Sequence, residues 1–308
     1  MSVRDLLLAV ALMCLWGFNF SVIKLGAEQI HPIMLTALRF MFATLPIIFF
    51  VKRPNVHPKY LIAYGVTFGL GVWGVMTWSI TLGVSAGMAG LLMQLSIVFS
   101  LILGVSLFNE TLTLSKLIGA VFAVLGLTVA LTLTDGSVSA VGVAMSLIAA
   151  LSWSLTAVIV KRANTQQVFA FSVWGMLFAP VPLLTIALSV GGMEAITHLP
   201  TQMNAEVWFS ILFQAYPTTL LGYWFYNQLT MRYPLATVAP LTLLVPVFGL
   251  LGSYLFYNES IGSTKLIACG LILFGVVVGT FNIFGTKAII KDKNPLLNPQ
   301  KSPPLSKG

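Results

Sequence analysis

The sequence predicts an all-α membrane protein: ten transmembrane helices arranged as a 5+5 inverted repeat. Three observations carry that expectation. Of 308 residues, 58% are hydrophobic and only 8% charged, against roughly 25% charged in a soluble domain. Ten mostly apolar runs follow one another, most of them near the ~20 residues that cross a bilayer. One motif is also written twice, as "LFNETLTLSKLIGA" from Leu107 and "LFYNESIGSTKLIACG" from Leu255. Glu110 and Glu259 stand 149 positions apart, and so do Lys116 and Lys265.

The runs lie near 6–25, 33–51, 60–82, 87–107, 115–134, 140–160, 168–189, 206–229, 237–256 and 264–284. They are too long for barrel strands and do not alternate. Backbone polar groups in hydrocarbon must be bonded within their own segment, which makes the runs helices. The first follows Arg4 as a signal peptide would, but no small-x-small cleavage site comes after it, so it reads as a span. The connections, such as "GAEQIHP", "KRPNVHPK" and "LTDGSVSA", are short and polar. The tail "KAIIKDKNPLLNPQKSPPLSKG" is rich in Lys, Pro and Ser and reads as disordered. The expected division is 1–136 for the first five-helix repeat, 137–286 for the second, and 287–308 for a cytoplasmic tail.

The repeat extends beyond its most visible motif. "GLLMQLSIVFSLILGVSLFNE" aligns without a gap on "APLTLLVPVFGLLGSYLFYNE", again at 149 positions. More loosely, "LWGFNFSVIK" resembles "LSWSLTAVIVK", with Trp16 on Trp153 and Lys24 on Lys161, both 137 apart. Five helices is an odd number, so the second copy enters the membrane from the opposite side. An inverted repeat of this kind lets the two halves exchange conformations around a central site. Charge sets the orientation. With the N-terminus in the cytoplasm, Arg4, Lys52, Arg53, Lys59, Lys161, Arg162 and the tail lysines all fall inside, while Lys24 and Lys265 fall outside.

That distribution explains the net charge of +8 without nucleic acid, whose partners gather their cations on one folded face. The expected partners are the lipid bilayer and a small-molecule substrate. Cys14 and Cys269 sit in apolar runs and form no disulfide or metal pattern. His31, His57 and His198 are in loops and lack ligand spacing. No Gly-x-Ser-x-Gly elbow, phosphate-cradling loop or paired intramembrane carboxylate is present. No cofactor, metal or catalytic activity is expected.

Several of these stretches resemble one family. The 5+5 layout, Trp16-Gly17, Arg39 in the second helix, Asn-Glu after the fourth and ninth helices, and "APLTLLVPVFGLL" are similar to the EamA-type branch of the drug/metabolite transporter superfamily. The resemblance covers about residues 4–285. It implies a secondary transporter of the inner membrane with both termini cytoplasmic. The implied activity is export of small polar metabolites, above all amino acids or derivatives such as cysteine and O-acetylserine. Drugs and other amphiphiles are the alternative substrate class, and a passive channel is the alternative mechanism.

Polar groups inside a membrane are costly and mark sites or contacts. Arg39 lies about six residues into the second helix, roughly 9 Å deep. It either anchors a carboxylate through two parallel hydrogen bonds or clamps to Glu28, Asp135 or helix-end carbonyls. Lys24, at the outer end of the first helix, either snorkels to headgroups or extends a polar line from Trp16 and Asn19. Trp16 and Asn19 share a helix face. Asn19 can donate and accept, and a Trp face can hold an ammonium. Asn19 suits a bond between helices equally well. Trp78, Gln94 and Trp153 join the list from the third, fourth and sixth helices. The eighth is the most polar, with Gln214, Tyr216, Tyr223 and Asn227 as candidates. Tyr216, Tyr223 and Asn227 fall on one stripe. Pro240 and Pro246 should kink the ninth helix, and the fourth has no matching proline, so unequal halves are expected. Glu110 and Glu259 should face the positive N-terminal ends of the helices that follow them.

Overall fold

The computed structural model describes residues 1–233, 238–281, 283 and 288–290, with backbone alone at 227, 230, 231, 239, 240 and 288–290. Helices begin with α1 (Val3–Ala27), α2 (Pro32–Ile48) and α3 (Pro58–Tyr64). A π-helical stretch, Gly65–Gly74, leads into α4 (Val75–Thr81). Then come α5 (Ala86–Met93), α6 (Ser96–Phe108), α7 (Leu114–Ala130), α8 (Ala140–Ala163), α9 (Val168–Met176) and α10 (Pro180–Gly191). Two single turns, α11 (Glu194–Thr197) and α12 (Leu199–Gln202), precede α13 (Ala205–Phe213). A second π-helical stretch, Gln214–Leu221, joins α13 to α14 (Gly222–Arg232). A 3-10 turn (Ala239–Leu243), α15 (Leu244–Tyr257) and α16 (Ser263–Phe281) close the bundle.

Local chemistry sets several boundaries. Ser2, Ser139 and Asn204 cap α1, α8 and α13 by accepting from Asp5, Gly142 and Val207 amides. Asn109, Asn164 and Asn258 end α6, α8 and α15 in the left-handed conformation, with φ of 51°, 47° and 50°. Asparagine tolerates that region better than most side-chain-bearing residues. Among the described residues, six helical segments are long and apolar enough to cross a membrane: Val3–Ala27, Pro58–Thr81, Ala86–Phe108, Ala140–Ala163, Val168–Gly191 and Ser263–Phe281. Three shorter apolar ones are Pro32–Ile48, Leu114–Ala130 and Leu241–Tyr257. The chain is thus an all-α membrane protein. A two-stranded antiparallel pair, β1 (Leu112–Thr113) and β2 (Ala288–Ile290), brings the start of the tail back to the loop before α7. The remaining tail, expected to be disordered, lies outside the described residues.

Three features depart from the expected regularity. The two π-helical stretches start at Gly65 and Gln214, the same 149-residue offset as the sequence repeat. Such stretches are rare and concentrate at functional sites. The fourth run breaks at Gln94–Leu95 without a proline, at the offset position of Leu243–Leu244 where the 3-10 turn passes into α15. The expected inequality of the fourth and ninth helices is therefore corrected at this point: both are interrupted at one place.

The third departure concerns Glu110 and Glu259. Neither caps the helix that follows; for α7 that role falls to Thr113, which accepts from the Lys116 amide at 3.4 Å. Glu110 instead takes the Lys161 ammonium at 2.7 Å, and Glu259 takes Lys24 at 3.2 Å. Lys161 also sits 3.9 Å over the Phe108 ring, and Lys24 sits 4.1 Å over Tyr257. Phe108 and Tyr257 are again 149 apart. The duplicated motif thus builds one device twice. An aromatic face and a carboxylate, separated by a left-handed Asn, hold the lysine that ends the first helix of the other repeat.

Helices α7 and α16 lie side by side on small residues. A Cβ added at Gly119 would meet the Gly275 carbonyl at 2.5 Å and the Gly279 amide at 2.7 Å. Small residues let membrane helices approach this closely. The main apolar core draws on α1 to α5 and the first π-helical stretch, together with α7, α8, α9, α10 and α16.

Candidate functional site

A cavity of about 260 Å³ lies where these helices converge. Helix α1 supplies Trp16, Asn19 and Phe20, and α2 supplies Arg39. Trp73 comes from the first π-helical stretch and Thr218 from the second. Gly90, Met93, Gln94 and Ser96 come from the interrupted fourth run, Trp153 from α8, Tyr223 and Tyr226 from α14, and Thr242 and Val245 from the interrupted ninth run.

The walls are held by specific contacts. Trp16 Nε1 donates to the Thr218 carbonyl at 2.9 Å. It can do so because residue 222 is glycine: a Cβ there would stand 2.6 Å from that nitrogen. The Trp16 ring packs at 5.5 Å from Tyr223 and 5.4 Å from Tyr226. Phe68 links Tyr223, Trp73 and Trp153 from behind, with centroids 5.7, 6.4 and 6.1 Å away. Tilted and edge-on aromatic pairs of this kind contribute about 0.5–1.5 kcal/mol each beyond burial.

Arg39 is 1% exposed. Its Nε and Nη2 donate to Thr219 Oγ1 at 3.3 and 3.0 Å, and Nη1 donates to Gln214 Oε1 at 3.4 Å. Its guanidinium carbon stands 4.2 Å over the Trp73 ring. The partners are themselves fixed. Thr218 and Thr219 hydroxyls both donate to the Gln214 carbonyl at 2.7 Å. Gln214 Nε2 donates to Ser210 Oγ at 2.9 Å, and Ser210 donates to the Val22 carbonyl at 2.7 Å. Pro217, which has no N–H to give the ladder, sits inside this irregular stretch. Neither Glu28 nor Asp135 reaches Arg39.

Six of the residues singled out from the sequence meet in this cavity: Trp16, Asn19, Arg39, Gln94, Trp153 and Tyr223. Gln214 stands one layer behind, positioning Arg39. Lys24 is elsewhere, in a smaller polar cavity with Glu259, Lys265 and Asp135. There Lys265 Nζ and Asp135 pair at 3.1 Å. Burial raises the Asp135 carboxyl, but the Ser137 hydroxyl and amide and Lys265 outweigh it and hold the group below the usual carboxylate range. Trp78 packs against the apolar core, and Tyr216 is 36% exposed on the outside of the second π-helical stretch. The Asn227 side chain lies outside the described residues.

Sequence reasoning places Trp73, Ser96, Thr218 and Tyr226 on the right helices without selecting them. It does not reach Phe20, Gly90, Met93, Thr242 or Val245. The repeat itself carries a signal for Val245, the offset partner of Ser96, and Thr242 is the offset partner of Met93. The first three are apolar or small and leave no polar trace.

Apolar helices of spanning length around an aromatic, polar-lined cavity define a multi-pass membrane protein of transporter architecture. Among the described residues, no cluster of His, Cys, Asp or Glu could hold a metal. The chain belongs to the EamA-like transporter family, within the drug/metabolite transporter superfamily, and matches it over residues 4–132 and again over 140–281. It is 32% identical over 295 residues to a probable amino-acid metabolite efflux pump of Escherichia coli, covering 94% of this chain and 99% of that protein. It is 34% identical over 294 residues to a protein of the same name from Salmonella typhimurium, covering 92% and 96%. A solved structure titled only as a crystal structure of protein shares the fold at a TM-score of 0.59 and 18% identity, over 92% of this chain and 99% of the other.

Proposed function

We propose that this chain is a ten-span inner-membrane carrier that exports small polar metabolites, amino acids or their derivatives such as cysteine and O-acetylserine, by alternating access. In this reading, 1–136 and 137–286 are inverted repeats and both termini are cytoplasmic. The observation that carries the proposal is the cavity itself, built at equivalent positions of both repeats: Trp16 with Trp153, Ser96 with Val245, Met93 with Thr242. Its volume, about 260 Å³, lies just under the roughly 300–1,000 Å³ typical of drug-sized ligands. That favours a small metabolite over an amphiphilic drug. The relatives named as amino-acid metabolite efflux pumps support the same class and the outward direction.

The duplicated lysine devices support the mechanism. They bond the two repeats to each other at opposite ends of the bundle. The Lys24–Glu259 side chains are 22% and 16% exposed, whereas Lys161 and Glu110 are 53% and 45% exposed. Unequal burial of equivalent pairs supports a state closed at the Lys24 end and looser at the Lys161 end. Exchange of the two arrangements would open the cavity to the other side.

The test is export from a bacterium expressing the chain, following cysteine and O-acetylserine in the medium at matched membrane expression. Wild type should accumulate at least one of them over the vector control. Asn19→Ala should lower that accumulation about tenfold and Tyr223→Phe several-fold, while Glu110→Gln, at the exposed pair, should stay within about twofold. Equal export by Asn19→Ala, Tyr223→Phe and wild type would remove the cavity as the substrate site.

A further inference from the structure

The charge inside the cavity is unbalanced. Among the described residues, no carboxylate lies within 4.0 Å of the Arg39 guanidinium, whereas Lys24, Lys161, Lys265 and Arg232 each have one. A buried charge without a counter-ion is expensive, and deeply placed membrane cations otherwise pair. The partners Arg39 does have, Thr219 and Gln214, are neutral. They use Nε and one N–H on each terminal nitrogen. One N–H therefore remains on each terminal nitrogen, the number a carboxylate takes in a two-pronged pair. Trp73 covers one face of the group and the Thr219–Gln214 network fixes its plane, so little ordering is left for a ligand to impose.

Three further groups in the same wall are incomplete. Asn19 Oδ1, Trp73 Nε1 and Gln94 Nε2 are buried without a hydrogen-bond partner. A buried polar group keeps its desolvation penalty until a partner satisfies it. The cavity therefore presents spare donors on Arg39, Gln94 and Trp73 and a spare acceptor on Asn19, between aromatic faces that attract cations. Resting on the reading of this cavity as the substrate site, we propose that Arg39 is the carboxylate anchor. The substrate must carry a carboxylate, which becomes the counter-ion Arg39 lacks, beside an amine or hydroxyl donor for Asn19. Carboxylate-free amines are repelled by the fixed cation, and neutral amphiphiles leave it unpaired.

The test uses the purified full-length protein in lipid nanodiscs and a panel of acids, each matched to its methyl ester and primary amide. The panel includes cysteine, O-acetylserine, neutral amino acids and simple hydroxy acids. Binding is read by thermal stabilisation and by fluorescence of Trp73, which stacks on Arg39. The expected result is that some acids bind while their esters and amides bind at least tenfold more weakly. Arg39→Gln should erase that preference and Arg39→Lys should keep part of it, both variants being checked for folding by size-exclusion chromatography. Esters binding as tightly as acids, or an acid preference that survives in Arg39→Gln, would overturn the anchor; the export experiment would still stand. Folded wild type that binds no acid in the panel would overturn it as well. If export is also absent, the exporter reading falls with it. If Arg39→Gln does not fold, the acid–ester comparison on wild type alone still decides.

Discussion

Replacing Gly17 with leucine is expected to cut export sharply and to leave the Lys24 end of the cavity open. Gly17 is where α1 crosses α15 most closely. A Cβ added there would meet Phe248 Cβ, the Val245 carbonyl at 2.6 Å and the Gly249 amide at 2.8 Å. Two of these atoms are backbone, so no rotamer change relieves the clash, and the helices must separate. The equivalent crossing in the other half is built differently. Ser154, offset from Gly17 by 137 positions, donates to the Ser96 carbonyl at 2.8 Å, and Ser96 is the counterpart of Val245. One crossing is thus tight and the other is spaced by a hydroxyl. Overpacking a tight contact typically costs about 1–3 kcal/mol, and in the proposed alternating-access cycle that cost would fall on one of the two states. Export should fall at least tenfold. A cysteine placed at position 90, in the cavity wall, should become reactive to an impermeant thiol reagent from the Lys24 side. Wild-type export and labelling in Gly17→Leu would show that this crossing is not the closure.

The second large effect is expected at the Lys24–Glu259 pair. Lys24→Glu sets two carboxylates against each other where an ion pair and a cation–π contact stood. Breaking a fully buried pair costs about 3–5 kcal/mol and an exposed one about 0–1. At 22% and 16% side-chain exposure, an intermediate loss of roughly 1.5 kcal/mol, about tenfold in the closed population, is expected. The double change Lys24→Glu with Glu259→Lys should recover export to within about threefold, since the geometry is kept and only the polarity is reversed. The same exchange at Lys161–Glu110 should change export less than threefold. Failure of the double variant, with both proteins inserted, would assign Lys24 a role other than pairing.

Much of the fold is legible in the sequence because the membrane leaves few options. Runs near 6–25, 87–107 and 140–160 become α1, α5 with α6, and α8 with ends shifted by a few residues. What escapes is where a run stops being a regular helix. Gln94–Leu95 breaks the fourth run with no glycine or proline at the break, at the offset position of the interruption that Pro240 and Pro246 announce in the ninth run. The π-helical stretches escape for the same reason: Gly65–Gly74 and Gln214–Leu221 share a position but hardly any residues.

The site was legible where polarity is unusual for a membrane. Arg39, Asn19, Gln94 and Tyr223 are conspicuous in apolar surroundings, and they converge. Polarity alone could not separate facing from neighbouring residues. Tyr216 and Tyr223 share a stripe in a regular helix, yet the π-helical turn between them rotates Tyr216 outward. The role of Glu110 and Glu259 was hidden because their partners, Lys161 and Lys24, are 51 and 235 residues away. Only the two offsets taken together, 149 for the acids and 137 for the lysines, announce that each acid meets the other repeat's lysine.

A cavity served alternately from the two sides supports counterflow, which a passive pore does not. Purified protein would be reconstituted in vesicles preloaded with an excess of unlabelled cysteine or O-acetylserine, and the same labelled compound added outside. The expected result is a transient accumulation of label above equilibrium, saturable with outside concentration and absent in Asn19→Ala. Protein-dependent flux that rises linearly with concentration and never overshoots would contradict it, and would make the cavity part of a passive channel.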